Sequence, residues 1–206
     1  MKHLLFPILL FMGLDLHAQK ETQKLIDAEG VNTIVVSSDE IFRINLSTST
    51  EPFIRISTRA DGEYFNNISM DALVKGETLF LTSMFNRSLQ EGFDKLSAHK
   101  VYAMEVDLQV PVGMKVEIIS NLTSVHAKGI YDNLLVQSTG GSCYLVGFVG
   151  NAVLNTYNGN IHVETEDAEV DANSRHGLIS LPENLVGSHK ISLTSINGNI
   201  RVKKTK

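Results

Sequence analysis

The sequence predicts an all-β protein: an N-terminal strand-rich portion packed on a C-terminal single-stranded β-solenoid, right-handed, with about 18 residues per coil and about five coils. Three observations carry that expectation. Short segments with alternating apolar residues fill the first half, the second half repeats with a fixed period, and Gly recurs at one place in that period.

The elements follow in chain order. Lys2 and His3 precede an apolar run from Leu4 to Leu14 that closes at Ala18 before Gln19, which is the anatomy of a signal peptide over residues 1–18. The run is too short to cross a bilayer, which needs roughly 20 apolar residues, and no later stretch is long enough. An extracytoplasmic location (periplasmic, cell surface or secreted) is therefore expected, with no membrane span after removal of the signal peptide. Residues 19–111 form the strand-rich portion. TIVVS, IFRINLS, FIRISTR, TLFLTSM and YAMEVDLQVP alternate apolar with polar residues, as half-buried strands do. Turns are expected at Asp61-Gly62 and at Lys75-Gly76-Glu77, and a long loop or short helix from Asn86 to Lys100.

Residues 112–206 carry the repeat, as one continuous domain with the portion before it. Corresponding positions recur at 18, 18, 18 and 21 residues. One column holds Val116, Leu134, Ala152, Val170 and Ile191, and the next inward column Ile118, Val136, Leu154, Ala172 and Leu193. A hydroxyl column follows, Ser120, Ser138, Thr156, Ser174 and Ser195, suited to bonding with itself or with turn backbone. The turn column is Thr123, Gly141, Gly159, Gly177 and Gly198. A second strand then turns Val125, Cys143, Ile161, Ile179 and Ile200 inward, followed by Ala127, Leu145, Val163, Leu181 and Val202. Charge in the tail, Lys203, Lys204 and Lys206, is expected to protect the strand edges at the end of the last coil.

Composition excludes several functions. The chain has 206 residues, a net charge of -5 and no basic block, which argues against nucleic-acid binding. The single Cys143 makes no intrachain disulfide, CxxC pair or zinc-ligand set, and its apolar column predicts a buried, inert thiol. No cofactor is implied.

The candidate binding residues are His126, Tyr144, His162, Ser180 and Arg201, the outward position between the two inward columns of the second strand. Aromatic and hydrogen-bonding residues in a row suit sugar rings or an extended polymer; the plainer reading is a solvated sheet face. His126 and His162 lie two coils apart, about 9.6 Å at the sheet spacing. Zinc bonds its nitrogen ligands at about 2.0 Å, so no metal site is expected. The acidic run Glu164, Glu166, Asp167, Glu169 and Asp171 is the alternative chemistry, since a polysaccharide-degrading β-helix enzyme or a Ca²⁺ site uses such carboxylates. No carboxylate repeats at the positions aligned with Glu164 and Glu166 on neighbouring coils, so the run reads as a solvated loop and no catalytic residue is expected.

The run VDLQVPVGMKVEI leading into LNTYNGNIHVET and LTSINGNIRVKK resembles the bacterial putative adhesin family, whose members are also described as head GIN domain proteins. The resemblance covers roughly Tyr102 to Lys206. It implies an extracytoplasmic β-solenoid domain of the bacterial envelope and supplies no catalytic residue. The expected function is a noncatalytic adhesin-like or envelope binding module whose partner is a glycan or an envelope protein. The alternatives are a polysaccharide-degrading β-helix enzyme and a periplasmic structural or sensory domain that binds another protein.

Overall fold

A computed structural model describes residues 20–62, 68–85 and 102–205; the expected signal peptide, the whole of the expected Asn86–Lys100 segment and Lys206 lie outside the described residues. Among the described residues there is no helix, and the strands join into one large sheet that does not close on itself.

Five strands fall where the alternation places them: β2 (Thr33–Ser37), β3 (Ile41–Ser49), β4 (Phe53–Gly62), β6 (Thr78–Phe85) and β7 (Tyr102–Pro111). Two more are added. The polar segment after the expected signal peptide forms β1 (Lys20–Asp27), antiparallel to β4, and β5 (Ile68–Lys75) is antiparallel to β6. Gly76, at φ 58°, turns the chain between β5 and β6, so the turn expected at Lys75-Gly76-Glu77 forms. The turn expected at Asp61-Gly62 is instead the end of β4.

The repeat region holds β8 (Lys115–Ser120), β9 (Ser124–Ser138), β10 (Cys143–Thr156), β11 (Ile161–Thr165), β12 (Ala168–Ser174), β13 (Ile179–Ser180), β14 (His189–Ser195) and β15 (Ile200–Lys204). Strands β9 and β10 are long because each bends and serves two rows of the sheet. The bends coincide with glycines at positive φ, Gly129 in β9 and Gly147 and Gly150 in β10, and β10 shifts register there.

The columns pair as aligned. Val116 lies opposite Leu134, Leu134 opposite Ala152, and Ala152 opposite Ile191. In the other row Val125, Cys143, Ile161 and Ile200 are successive neighbours. Both rows continue into the N-terminal portion: Ile34 pairs with both Val116 and Leu79, and Ile44 with both Val125 and Val106. The sheet therefore runs without a break across Pro111.

The order of the last two repeats differs from chain order. Strand β14 lies between β10 and β12, and β15 between β11 and β13, so the fifth repeat is inserted between the third and the fourth. One expectation falls with this: Ile179 and Leu181, read as inward, are 43% and 46% exposed, and nothing among the described residues pairs with the outer side of β13. Lys203 lies opposite Glu164 on one side, and β13 ends before reaching its other side.

The core is the set of matched columns. Ile34, Leu79, Val116, Leu134, Leu154, Val125, Cys143, Leu145 and Ile161 are fully buried, each large aliphatic contributing about 2 kcal/mol of burial. The hydroxyl column seals the adjoining turn. Ser138, Ser174 and Ser195 each accept from the N–H three residues ahead, of Gly141, Gly177 and Gly198. Thr156 Oγ1 donates to the Gly159 carbonyl at 2.7 Å. The turn glycines are needed for close approach and not for positive φ. A Cβ on Gly159 would fall on the carbonyl oxygen of Gly141, and one on Gly198 on that of Gly159. Thr123 is the exception because its neighbour is the Ile41 carbonyl, to which its Oγ1 donates at 2.5 Å.

Candidate functional site

Period-2 geometry turns every second residue of the β3, β9, β10, β11, β15 row away from the core. The register then places His126 beside Tyr144, Tyr144 beside His162, His162 beside Arg201, and Arg201 beside Ser180. All five candidate residues thus form one line, with Arg201 before Ser180. The line extends past His126 to Asn45, Asp107 and Ser57, which the repeat could not reveal because they come from strands outside it.

The three rings stack. His126 and Tyr144 have centroids 4.6 Å apart with planes at 23°, and Tyr144 and His162 lie 5.0 Å apart with planes at 1°. Such spacing follows from the distance between neighbouring strands, so the sheet itself holds the rings face to face. Burial pushes the imidazoles of both histidines below their ordinary range. Arg43 adds to this at His126 against an opposing pull from Glu105, and Arg201 and Lys203 add to it at His162. At neutral pH the rings are therefore uncharged.

Beside the stack is a groove of about 570 Å³ whose lining includes Asn45, Arg55, Ser57, Asp107, His126, Lys128 and Tyr144. The carboxylates of Asp107, in its lining, and of nearby Glu105 are already engaged. Asn45 Nδ2 donates to Asp107 at 2.7 Å and to Glu105 at 2.9 Å, and Arg43 and Arg59 each approach Glu105 to 3.6 Å. Arg55 is bonded through Nη2 to Glu51, while its buried Nε–H has no hydrogen-bond partner among the described residues. No carboxylate among the described residues reaches ion-pair distance of Lys128, Arg201 or Lys203.

The acidic run takes structural work. Asp167 accepts from the Ser188 N–H at 2.8 Å and from its hydroxyl at 2.6 Å, and these bonds hold its carboxyl below the usual range. Glu164 lies opposite Lys203, and Glu169 opposite Lys190. No group of three or more metal-ligating side chains occurs among the described residues. Cys143 is fully buried, and burial pushes its thiol up to about 12.

No family model matches the chain, and no curated protein matches it. Solved structures do. A putative cell adhesion protein from Clostridium sporogenes superposes with a TM-score of 0.63 at 15% identity, over 91% of this chain and 100% of that one. A putative adhesin from Bacteroides fragilis aligns over 89% of this chain and 97% of that one, at 14% identity and a TM-score of 0.34. A putative lipid binding protein from Parabacteroides distasonis aligns over 90% and 97%, at 14% identity and a TM-score of 0.25. The likeness to the Clostridium protein is one of fold. No helix among the described residues is long and apolar enough to cross a membrane.

Proposed function

We propose that the chain is a noncatalytic, extracytoplasmic binding module of the putative adhesin type. Its ligand surface is the line His126, Tyr144, His162, Arg201 and Ser180. The parallel pairings support the reading of a β-solenoid, and right-handed winding is the default for parallel crossovers. The observation that carries the reading is the stack of three rings, two of which, His126 and Tyr144, line the groove; it offers a row of ring edges with their hydrogen-bonding groups to sugars in sequence. The noncatalytic reading is supported by Asp167, which spends both oxygens on Ser188, and by Glu164, which faces Lys203.

Glycan arrays and cell-wall pull-downs with the wild type and Tyr144→Ala test the proposal. The wild type is expected to bind and the variant to lose at least about tenfold in affinity, as removal of a stacking aromatic at a contact centre does. Binding unchanged in Tyr144→Ala, with the melting curve also unchanged, overturns the assignment of the surface.

A second reading, a domain that binds another protein, draws on the bare edges of β12 and β13, near which Leu178 and Val186 are 79% and 78% exposed. A partner's strand added there would complete the sheet. Crosslinking in the native envelope distinguishes this reading.

A further inference from the structure

Resting on the glycan-binding reading above, we propose that the stacked groove takes an acidic polysaccharide. Sugar rings lie along Tyr144 and its neighbours, and the polymer's carboxylates face Arg55, Lys128, Arg201 and Lys203. Three observations lead there independently of any relative.

The first is the charge beside the rings. Residues two positions along each strand share a face, so the line through His126, Tyr144, His162 and Arg201 is flanked by a second line that includes Arg55, Gln109, Ser47, Lys128, Glu164 and Lys203. Four of those positions, counting Arg201 itself, are cationic on a chain whose net charge is -5. A neutral sugar polymer needs no such concentration of positive charge on one face.

The second is that most of this charge is uncommitted, Arg55 alone of the four being paired, with Glu51. Glu105 and Asp107 are held by Arg43, Arg59 and Asn45. Lys128, Arg201 and Lys203 have no ion-pair partner among the described residues, and the Arg55 Nε–H is buried without an acceptor.

The third is the state of the rings. The cations that flank the histidines also help keep the imidazoles neutral, so the stack presents uncharged ring edges while the charge stays on the flexible Arg and Lys termini. This places neutral ring contact and charge recognition side by side, as a carboxylated sugar ring requires. A nucleic acid would also offer rings and anions, and it enters as an outcome of the test.

The experiment measures binding of the purified full chain to polygalacturonate, to neutral dextran and to a single-stranded DNA oligonucleotide. The variants are the double substitution Lys128→Gln with Arg201→Gln and, separately, Tyr144→Ala. The wild type is expected to bind polygalacturonate in preference to both other polymers. Raising salt weakens this binding, and the double variant weakens it by at least about tenfold while melting like the wild type. Dextran bound as well as polygalacturonate, or an unchanged double variant, overturns the acidic class and leaves the glycan-binding reading standing. DNA bound more tightly than polygalacturonate overturns it in favour of a nucleic-acid ligand. Loss on Tyr144→Ala with none on the double variant assigns the surface to neutral rings.

Discussion

The two ends of the sheet are built differently from similar repeats. At the N-terminal end β6 and β7 lie outside β2 and β3, and antiparallel strands then cover them, β5 on β6 and β4 with β1 on β7. At the C-terminal end β12 and β13 lie outside β14 and β15, and nothing among the described residues pairs with their outer edges. The burial records the difference. Ile54 of β4 is fully buried, whereas Ile179 of β13 is 43% exposed. An apolar residue thus contributes through the neighbour its strand receives, and repeat position alone does not set that contribution.

The largest expected effect separates the two ends. Ile54→Asp places an unpaired charge in a closed core and is expected to cost about 4 kcal/mol or to prevent folding, whereas Ile179→Asp at the open edge costs about 1 kcal/mol or less. Urea titrations measure both; equal losses would mean that the C-terminal edge is covered. If Ile54→Asp does not fold, Ile54→Ala against Ile179→Ala gives the same ordering.

The strand order at the open end has a direct test. Neighbouring parallel strands lie about 4.8 Å apart, within disulfide reach. Ser192 is opposite both Val153 and Asp171, and Val153 and Asp171 are separated by β14. Val153→Cys with Ser192→Cys is expected to crosslink under oxidation, and Val153→Cys with Asp171→Cys is not; the reverse result would restore chain order. Cys143, buried with its thiol pushed up, does not compete.

The smallest effect lies on the stack. Both histidines are depressed when folded, so the folded state binds fewer protons than the unfolded state below the ordinary histidine value of about 6.5. Their contribution is present above that value and is lost as pH falls through the lower folded values. Thermal melts across this range are expected to show a decline in stability that His126→Gln with His162→Gln reduces. An unchanged pH profile in that variant would assign the decline to other groups.

The register of the repeat was readable because period and chemistry agree. Leu181 apart, the apolar and hydroxyl columns of 116–202 pair as aligned in both rows, the turn glycines stack beside them, and the line from His126 to Arg201 pairs likewise. The N-terminal members of the same columns were not readable. Ile34 and Ile44 join them across intervening antiparallel strands, which break any constant spacing. The polar β1 was missed because its strand character comes from pairing with β4, and its burial pattern carries little of it. A trace of the exchanged order does exist in the sequence. The spacing lengthens from 18 to 21 residues after the fourth repeat, which supplies chain for the return, and that repeat has Ala172 where the inserted one has Leu193.

By itself the sequence determined most of the strands and inward columns, the glycine turns and the register of the outward line, because strand alternation and close-packed turns constrain residue type position by position. Tertiary structure alone decided which repeat sits beside which, and how far the line of exposed side chains extends. Repeats with matching columns offer one another nearly interchangeable faces. The choice between them depends on the burial and backbone pairing summed over the whole stack, to which strands distant in sequence contribute as much as near ones.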